Sequence, residues 1–176
     1  MGRSRGLSGA LTSDAELVAF CEREHPRLVG ALSLYTNNTA VAEELAQEAL
    51  VRVMDAWPRV RTMAAPGAWA HRVAMNLAAS WFRRRSVERR ALARLGERVE
   101  ECQVEEVATV LAVRAAVAQL PERQRRCLVL RHYLGYPIDV TAQTLGISEQ
   151  AAASLTYRAM QSLRNRLGEN AVPGSR

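Results

Sequence analysis

The chain has 176 residues and a mass of 19.5 kDa, enough for one ordinary domain or two small ones. It is 48% apolar and 24% charged with a net charge of +6, which excludes a disordered or fibrous chain and favours a polyanionic partner. Aromatic residues are only 5%, and Ala, Val and Leu recur at helical spacing, which argues for an all-α fold and against a β-sandwich or barrel.

Ser13-Asp14 caps a helix expected to reach about Tyr35, with Leu17, Phe20, Cys21, Leu28, Leu32 and Tyr35 inward and Pro26 kinking or dividing it. Asn37-Asn38-Thr39 reads as a turn and a cap. The next helix, Ala40 to Trp57, sets Val41, Leu45, Ala49, Val53, Met54 and Trp57 near one side and Glu44, Gln47, Glu48 and Asp55 on the other, and Pro58 stops it. After a loop containing Arg61, a third helix is expected from Ala68 to about Arg85. At 100° per residue, Val73, Leu77, Ala70, Ala74 and Trp81 share one face, and Arg72, Asn76, Ala79, Ser80 and Arg83 share the opposite one. Such a face is either an ordinary solvated surface or a reader of nucleic acid. The adjacent Arg83, Arg84 and Arg85 at the helix end suit a phosphate backbone.

A second run of helical pattern begins near Val113. Leu120-Pro121-Glu122 starts a helix running through Leu134, and Gly135 caps it. Ile138 to Leu145 is a short helix, Gly146 makes a tight turn, and Ser148 caps a last helix to about Leu167. Small Ala142, permissive Gly146, and then Ile147, Ala152 and Leu155 follow the arithmetic of a helix-turn-helix, a generic helical hairpin being the alternative.

Charge follows the same divisions. Residues 1–66 hold seven Arg against eight acids, and residues 67–98 hold eight Arg against two. Residues 99–112 carry Glu100, Glu101, Glu105 and Glu106 with no cation; residues 113–170 hold eight Arg against four acids. Two small helical domains are therefore expected, a bundle at 13–85 and a helix-turn-helix domain at 113–168, joined by a flexible linker at 86–112. Every one of the 24 basic residues is Arg, a planar fork suited to phosphates and base edges.

Catalytic constellations are not expected. Cys21, Cys102 and Cys127 are odd in number and widely spaced, and read as neutral thiols of a reducing compartment. His25, His71 and His132 stand singly, so neither a metal site nor a cofactor is expected. No run of about 18 apolar residues offers a membrane span, and Met1 to Leu11 lacks the apolar run of a secretory signal. A cytoplasmic protein is expected.

Four segments together resemble bacterial RNA polymerase sigma factors of the extracytoplasmic-function (ECF) type. They are AEELAQEALVRVMDAW (42–57), PGAWAHRVAMNLAASWFRRR (66–85), LPERQRRCLVLRHYLGY (120–136) and AQTLGISEQAAASLTYRAMQSLR (142–164). The resemblance implies a promoter-specificity subunit rather than an enzyme, with core RNA polymerase and promoter DNA as partners, an anti-sigma factor as inhibitor, and no membrane contact. It places Glu44, Gln47, Glu48 and Met54 on the polymerase. It places Arg61, Trp69, Arg72, Asn76, Ser80, Arg83, Arg84 and Arg85 at the minus-ten element, with Asn76 near a flipped-out base. It places Ser148, Gln150, Ser154, Thr156 and Arg158 at the minus-thirty-five element. The chain departs from the family at Ala153, Leu155 and Tyr157, where a cation or polar group is common, so few direct base contacts remain there. The other readings of the same residues are a stand-alone helix-turn-helix regulator and a sigma-like interaction bundle.

Overall fold

The computed structural model describes residues 4–93 and 108–170, with side chains at 13–85 and 111–168. In chain order the helices are α1 (Ser4–Thr36), α2 (Thr39–Asp55), α3 (Trp57–Val60), α4 (Pro66–Ala93), α5 (Ala108–Ala118) and α6 (Glu122–Leu128). One π-helical turn (Val129–Tyr133), α7 (Ile138–Leu145) and α8 (Glu149–Asn170) follow. The all-α class holds, with no strand among the described residues. The acidic cluster Glu100, Glu101, Glu105 and Glu106 lies outside them. The expected linker is helical at both described ends, because α4 runs eight residues past Arg85 and α5 begins at Ala108.

Pro26 does not divide the first helix: α1 continues through it. A proline removes only one ladder hydrogen bond, and here packing holds the helix on both sides of the gap. Before Pro26, Phe20 meets Trp57 at 5.2 Å between ring centroids, and the Trp57 indole donates to the Ser13 carbonyl at 3.2 Å. After it, Leu28, Leu32 and Tyr35 are fully buried. The turn that follows is as the sequence suggests. Asn37 takes φ 55°, which a short amide side chain tolerates, and the Asn38 side chain accepts from the Val41 amide at 3.0 Å. Pro58 does more than stop α2. It sits in the first turn of α3, where its missing N–H costs nothing.

The first lobe (α1–α4) has two apolar clusters. Phe20, Val53, Trp57, Val60 and Ala70 form the smaller one. The larger joins Leu28, Ala31, Leu32 and Tyr35 of α1 to Ala42, Leu45, Ala46, Ala49 and Leu50 of α2 and to Ala74, Met75 and Ala78 of α4. That cluster also contains Val129, Leu130 and Leu134. The second lobe (α5–α8) is thus packed onto the first through a shared hydrophobic core. Its own core is smaller: Val117, Leu120, Leu128 and Ala159, with Met160 and Leu163.

The helix at the junction departs from the expected regular one. Four consecutive residues, Cys127, Leu128, Val129 and Leu130, are buried, so it is enclosed all round. Leu128 faces its own lobe while Val129, Leu130 and Leu134 face α1. The π turn makes this fit: the Leu134 amide donates to the Val129 carbonyl at 3.0 Å, five residues back, which brings Val129 and Leu134 to one side. Gly135, at φ 74°, then ends the helix.

A shared core couples the lobes. Leu130→Ala removes a fully buried side chain and should cost about 2–5 kcal/mol. All three tryptophans, Trp57, Trp69 and Trp81, lie in the first lobe. The urea midpoint seen by tryptophan fluorescence should therefore fall; an unchanged midpoint would mean that the lobes unfold independently.

Candidate nucleic-acid and polymerase interface

Two outward faces carry the candidate side chains of the first lobe, and helix periodicity builds each. On α2, burying Leu45, Ala49 and Val53 turns Glu44, Gln47 and Glu48 to solvent, with Met54 at 53% exposure. Val51 is 52% exposed on the same stripe, i+3 from Glu48 and three residues before Met54. Sequence reasoning passed over it, although the 44/47/48/51 spacing marks it. Glu48 pairs with Arg52 one turn on at 2.8 Å. An exposed apolar pair among carboxylates suits docking against a basic protein surface, where charge sets register and speed.

On α4, Arg72, Asn76, Arg83 and Arg84 are exposed, and Ser80 is half-buried. The Arg83 guanidinium donates to the Ser80 hydroxyl at 2.7 Å, so those two act together. Arg85 lies over the Trp81 ring at 5.1 Å, which fixes its charge at the helix surface. Ala79, expected on the polar face, is buried. The reason is that α4 packs against α1, α2 and, from the second lobe, α7, so more than half of its circumference is covered. The polar face is a narrow stripe rather than a full side.

Trp69 lies one turn before Arg72 on α4, and Arg61 lies in the connection between α3 and α4. Arg61 pairs with Glu16 at 2.5 Å on the surface, an interaction weak enough to yield to a phosphate. Trp69 is half-buried and packs on the smaller cluster; the Arg59 guanidinium covers its ring at 5.8 Å. Arg59 is a further cation of this surface that the sequence reading did not single out.

The second lobe presents α8 through a turn of the expected form. Gly146 takes φ 66°, and the Ile147 amide donates to the Ala142 carbonyl at 3.1 Å, closing α7. Ser148 caps α8, its hydroxyl accepting from the Ala151 amide at 3.2 Å. Gln150, Ser154 and Arg158 are exposed. Thr156 is half-buried and its hydroxyl donates to the Ala152 carbonyl at 2.8 Å, so that donor is turned back onto its own helix. Tyr157, which departs from the family pattern, is 64% exposed beside Ser154 and Arg158, with Gln161 donating to its hydroxyl at 2.9 Å.

The titratable interior is structural. Glu24, 2% exposed, is met by Arg23 at 3.0 Å and Arg27 at 3.4 Å, and its carboxylate lies 3.7 Å from the fully buried His71 Nε2. His71 Nδ1 and the Tyr136 hydroxyl share a hydrogen bond at 2.5 Å. Burial holds the His71 pKa down to about 4 against the pull of Glu24 and pushes Tyr136 up to about 12. Cys127, pushed up to about 11 by burial, is a thiol and not a nucleophile. Among the described residues no cluster of three or more metal-ligating side chains occurs, and no helix is long and apolar enough to cross a membrane.

Residues 20–88 match the family model for sigma-70 region 2, and residues 110–163 that for sigma-70 region 4. An RNA polymerase sigma-E factor of Streptomyces antibioticus is 30% identical over 72% of this chain and 70% of its own length. The ECF RNA polymerase sigma factor SigM of Mycobacterium tuberculosis is 30% identical over 83% of this chain and 74% of its own. Among solved structures, the sigma factor RpoE of Bartonella quintana, in complex with the anti-sigma factor NepR, shares the fold. Its TM-score is 0.74 at 19% identity, covering 88% of this chain and 96% of that one.

His71 makes stability pH-dependent. The unfolded ring takes its proton near pH 6.5 and the folded ring near 4, so between these values the unfolded chain binds more protons. Stability should fall as pH drops through that window, by roughly 3 kcal/mol at most. The neighbours that face the ring are Glu24 and Arg27 of α1 and Tyr136. In His71→Gln, denaturant midpoints should decline less than in the parent between pH 6.5 and 4; parallel curves would contradict this assignment.

Proposed function

The chain belongs to the sigma-70 family of RNA polymerase sigma factors, in its ECF group, and from that premise we propose how its two lobes divide the work of promoter recognition. Core RNA polymerase and promoter DNA are its partners, and an anti-sigma factor is the inhibitor the family implies. Members of this family are regulatory subunits, and we read this chain as one without catalysis of its own, acting in the cytoplasm.

The first lobe, 13–85, docks on the polymerase through Glu44, Gln47, Glu48, Val51 and Met54. Its minus-ten reader is the α4 stripe. Asn76 offers a donor and an acceptor together, as a base edge requires, and such contacts help offset the few kcal/mol needed to extrude a base. Arg72, Arg83, Arg84 and Arg85 hold the backbone, with Arg61 and Trp69 beside them. The second lobe, 113–168, reads the minus-thirty-five element with Ser148, Gln150, Ser154 and Arg158, and Thr156 contributes packing. The linker joins the two. The observation that carries this reading is the exposed stripe of Arg72, Asn76 and Arg83, with Arg84 exposed next to it, on a helix whose other described side chains are buried or half-buried.

The decisive experiment adds the chain to bacterial core polymerase on sheared genomic DNA of its source and maps transcript 5′ ends by sequencing. A recurrent set of start sites absent without the chain is expected; no enrichment at any salt concentration would contradict the reading. Sequence-specific duplex binding without polymerase would instead favour a stand-alone regulator.

The two faces should separate under mutation. Asn76→Ala should lower open-complex formation about tenfold or more while leaving polymerase affinity unchanged, as read by permanganate footprinting and pull-down. Val51→Asp should weaken polymerase binding by a similar factor without lowering the unfolding midpoint. Equal loss of both activities in either variant would contradict the division.

A further inference from the structure

Residues 61–65 join α3 to α4 without helical structure, and Thr62 carries the one hydroxyl among them. Thr62 is exposed, and so are Arg59 three residues before it and Arg61 next to it. Its hydroxyl donates to the Arg59 carbonyl at 2.8 Å, and its amide reaches the same carbonyl at 3.3 Å. Ala64 and Ala65 follow, both exposed, so little side-chain packing ties the segment down. A short surface stretch of this kind is drawn into an enzyme cleft at low cost.

The order Arg59-Val60-Arg61-Thr62 sets two planar cations beside an acceptor hydroxyl. Guanidiniums pair with carboxylates in bidentate fashion, which is how an acidic kinase cleft selects a basic substrate segment. Ser86 follows Arg83, Arg84 and Arg85 with similar charge, but it lies inside α4, where the backbone is committed to the helix. At Thr62 the arginines and an irregular backbone coincide.

We propose that Thr62 is a phosphorylation site for an arginine-directed serine/threonine kinase, and that its phosphate disables the minus-ten surface. This inference rests on the sigma reading, in which Arg61 and Trp69 belong to that surface. In the step, Thr62 Oγ1 attacks the γ-phosphorus of ATP and a new P–O bond forms. The bond to the bridging oxygen breaks, ADP leaves with its electron pair, and the hydroxyl proton passes to a carboxylate of the kinase.

The product carries roughly −1.5 to −2 charges at pH 7, one turn or less from both guanidiniums. Neither is firmly held. Arg61 pairs with Glu16 at 2.5 Å on the surface, and Arg59 lies over the Trp69 ring at 5.8 Å. A dianion attracts both more strongly than one exposed carboxylate or a ring does. Two cations are thereby withdrawn from DNA phosphates, and a like charge is left in their place. The α2 stripe, on a different helix, keeps its docking chemistry.

The test has two arms, both on the full chain. In the first, the chain is incubated with clarified extract of its source organism and ATP labelled at the γ-phosphate, and the labelled residue is located by mass spectrometry. Label at Thr62 is expected, lost in Thr62→Val and reduced about tenfold in Arg59→Ala. No label on the parent chain, or equal label on Thr62→Val, would overturn the proposal. In the second, phosphothreonine is placed at position 62 during translation, and the chain is assayed with core polymerase on a promoter recovered by the start-site mapping. Open complexes should fall about tenfold or more, and the plot of log affinity against log salt should become shallower by about 1.4 to 1.8. Polymerase affinity should be unchanged, and a phosphatase should restore the parent behaviour. Undiminished open complexes, or an unchanged salt slope, would overturn it. Absence of promoter-dependent transcript from the unmodified chain would instead overturn the sigma reading, a failure visible before any phosphate is introduced.

Discussion

The structure depends on one helix being buried from two sides. Between Cys127 and Leu134 the chain must satisfy its own small lobe through Leu128 and the larger core of the first lobe through Val129, Leu130 and Leu134. A regular helix spreads four consecutive residues over about 300°, which leaves no side for solvent. The π turn resolves the geometry by resetting the phase midway, and the polar contacts of Tyr35, Glu122 and Arg125 fix how the two lobes meet. Arg125 is largely enclosed, and burial lowers its pKa. Its donors nonetheless reach the carbonyls of Tyr35, Ala118 and Leu120, so the charge is hydrogen-bonded rather than stranded.

With the interior committed in this way, function is left to the faces that packing does not use. Carboxylates and two exposed apolar residues line α2, while exposed arginines line α4 and α8. Opposite chemistry is thus sorted onto different helices, so a protein partner and a nucleic-acid partner can be held at once. The surface ion pairs Glu48–Arg52 and Glu16–Arg61 are exposed and cheap to exchange for a partner's charges. The interior His71 and Cys127 are fully enclosed by packing.

Much of this was legible in residue order. The Asn38 and Ser148 caps and the left-handed Gly135 and Gly146 all follow from local rules that packing did not override, whereas Met54, expected on the apolar side of α2, is exposed. Three features did not follow. Pro26 reads locally as a break, yet the contacts of Phe20 and Leu28 on either side keep α1 whole. Ala79 reads as polar-face by angle alone, and only the number of helices packed on α4 buries it. The lobe–lobe docking has a sequence signal, the run Cys127-Leu128-Val129-Leu130, but the charge layout points to two separate units. Within the candidate sites, Val51 and Tyr157 sit on the marked faces at helical spacing. The Thr156 hydroxyl donates to the Ala152 carbonyl, a rotamer choice that helical spacing does not reveal.

The most direct measurement is a distance between the lobes of the free chain. Spin labels at exposed Glu22 on α1 and Asp139 on α7, read by pulsed electron resonance, report it. The free chain should show one narrow, short-distance population, as a hydrophobic core shared by both lobes requires. A broad or double distribution would contradict an account in which one helix is buried from two sides.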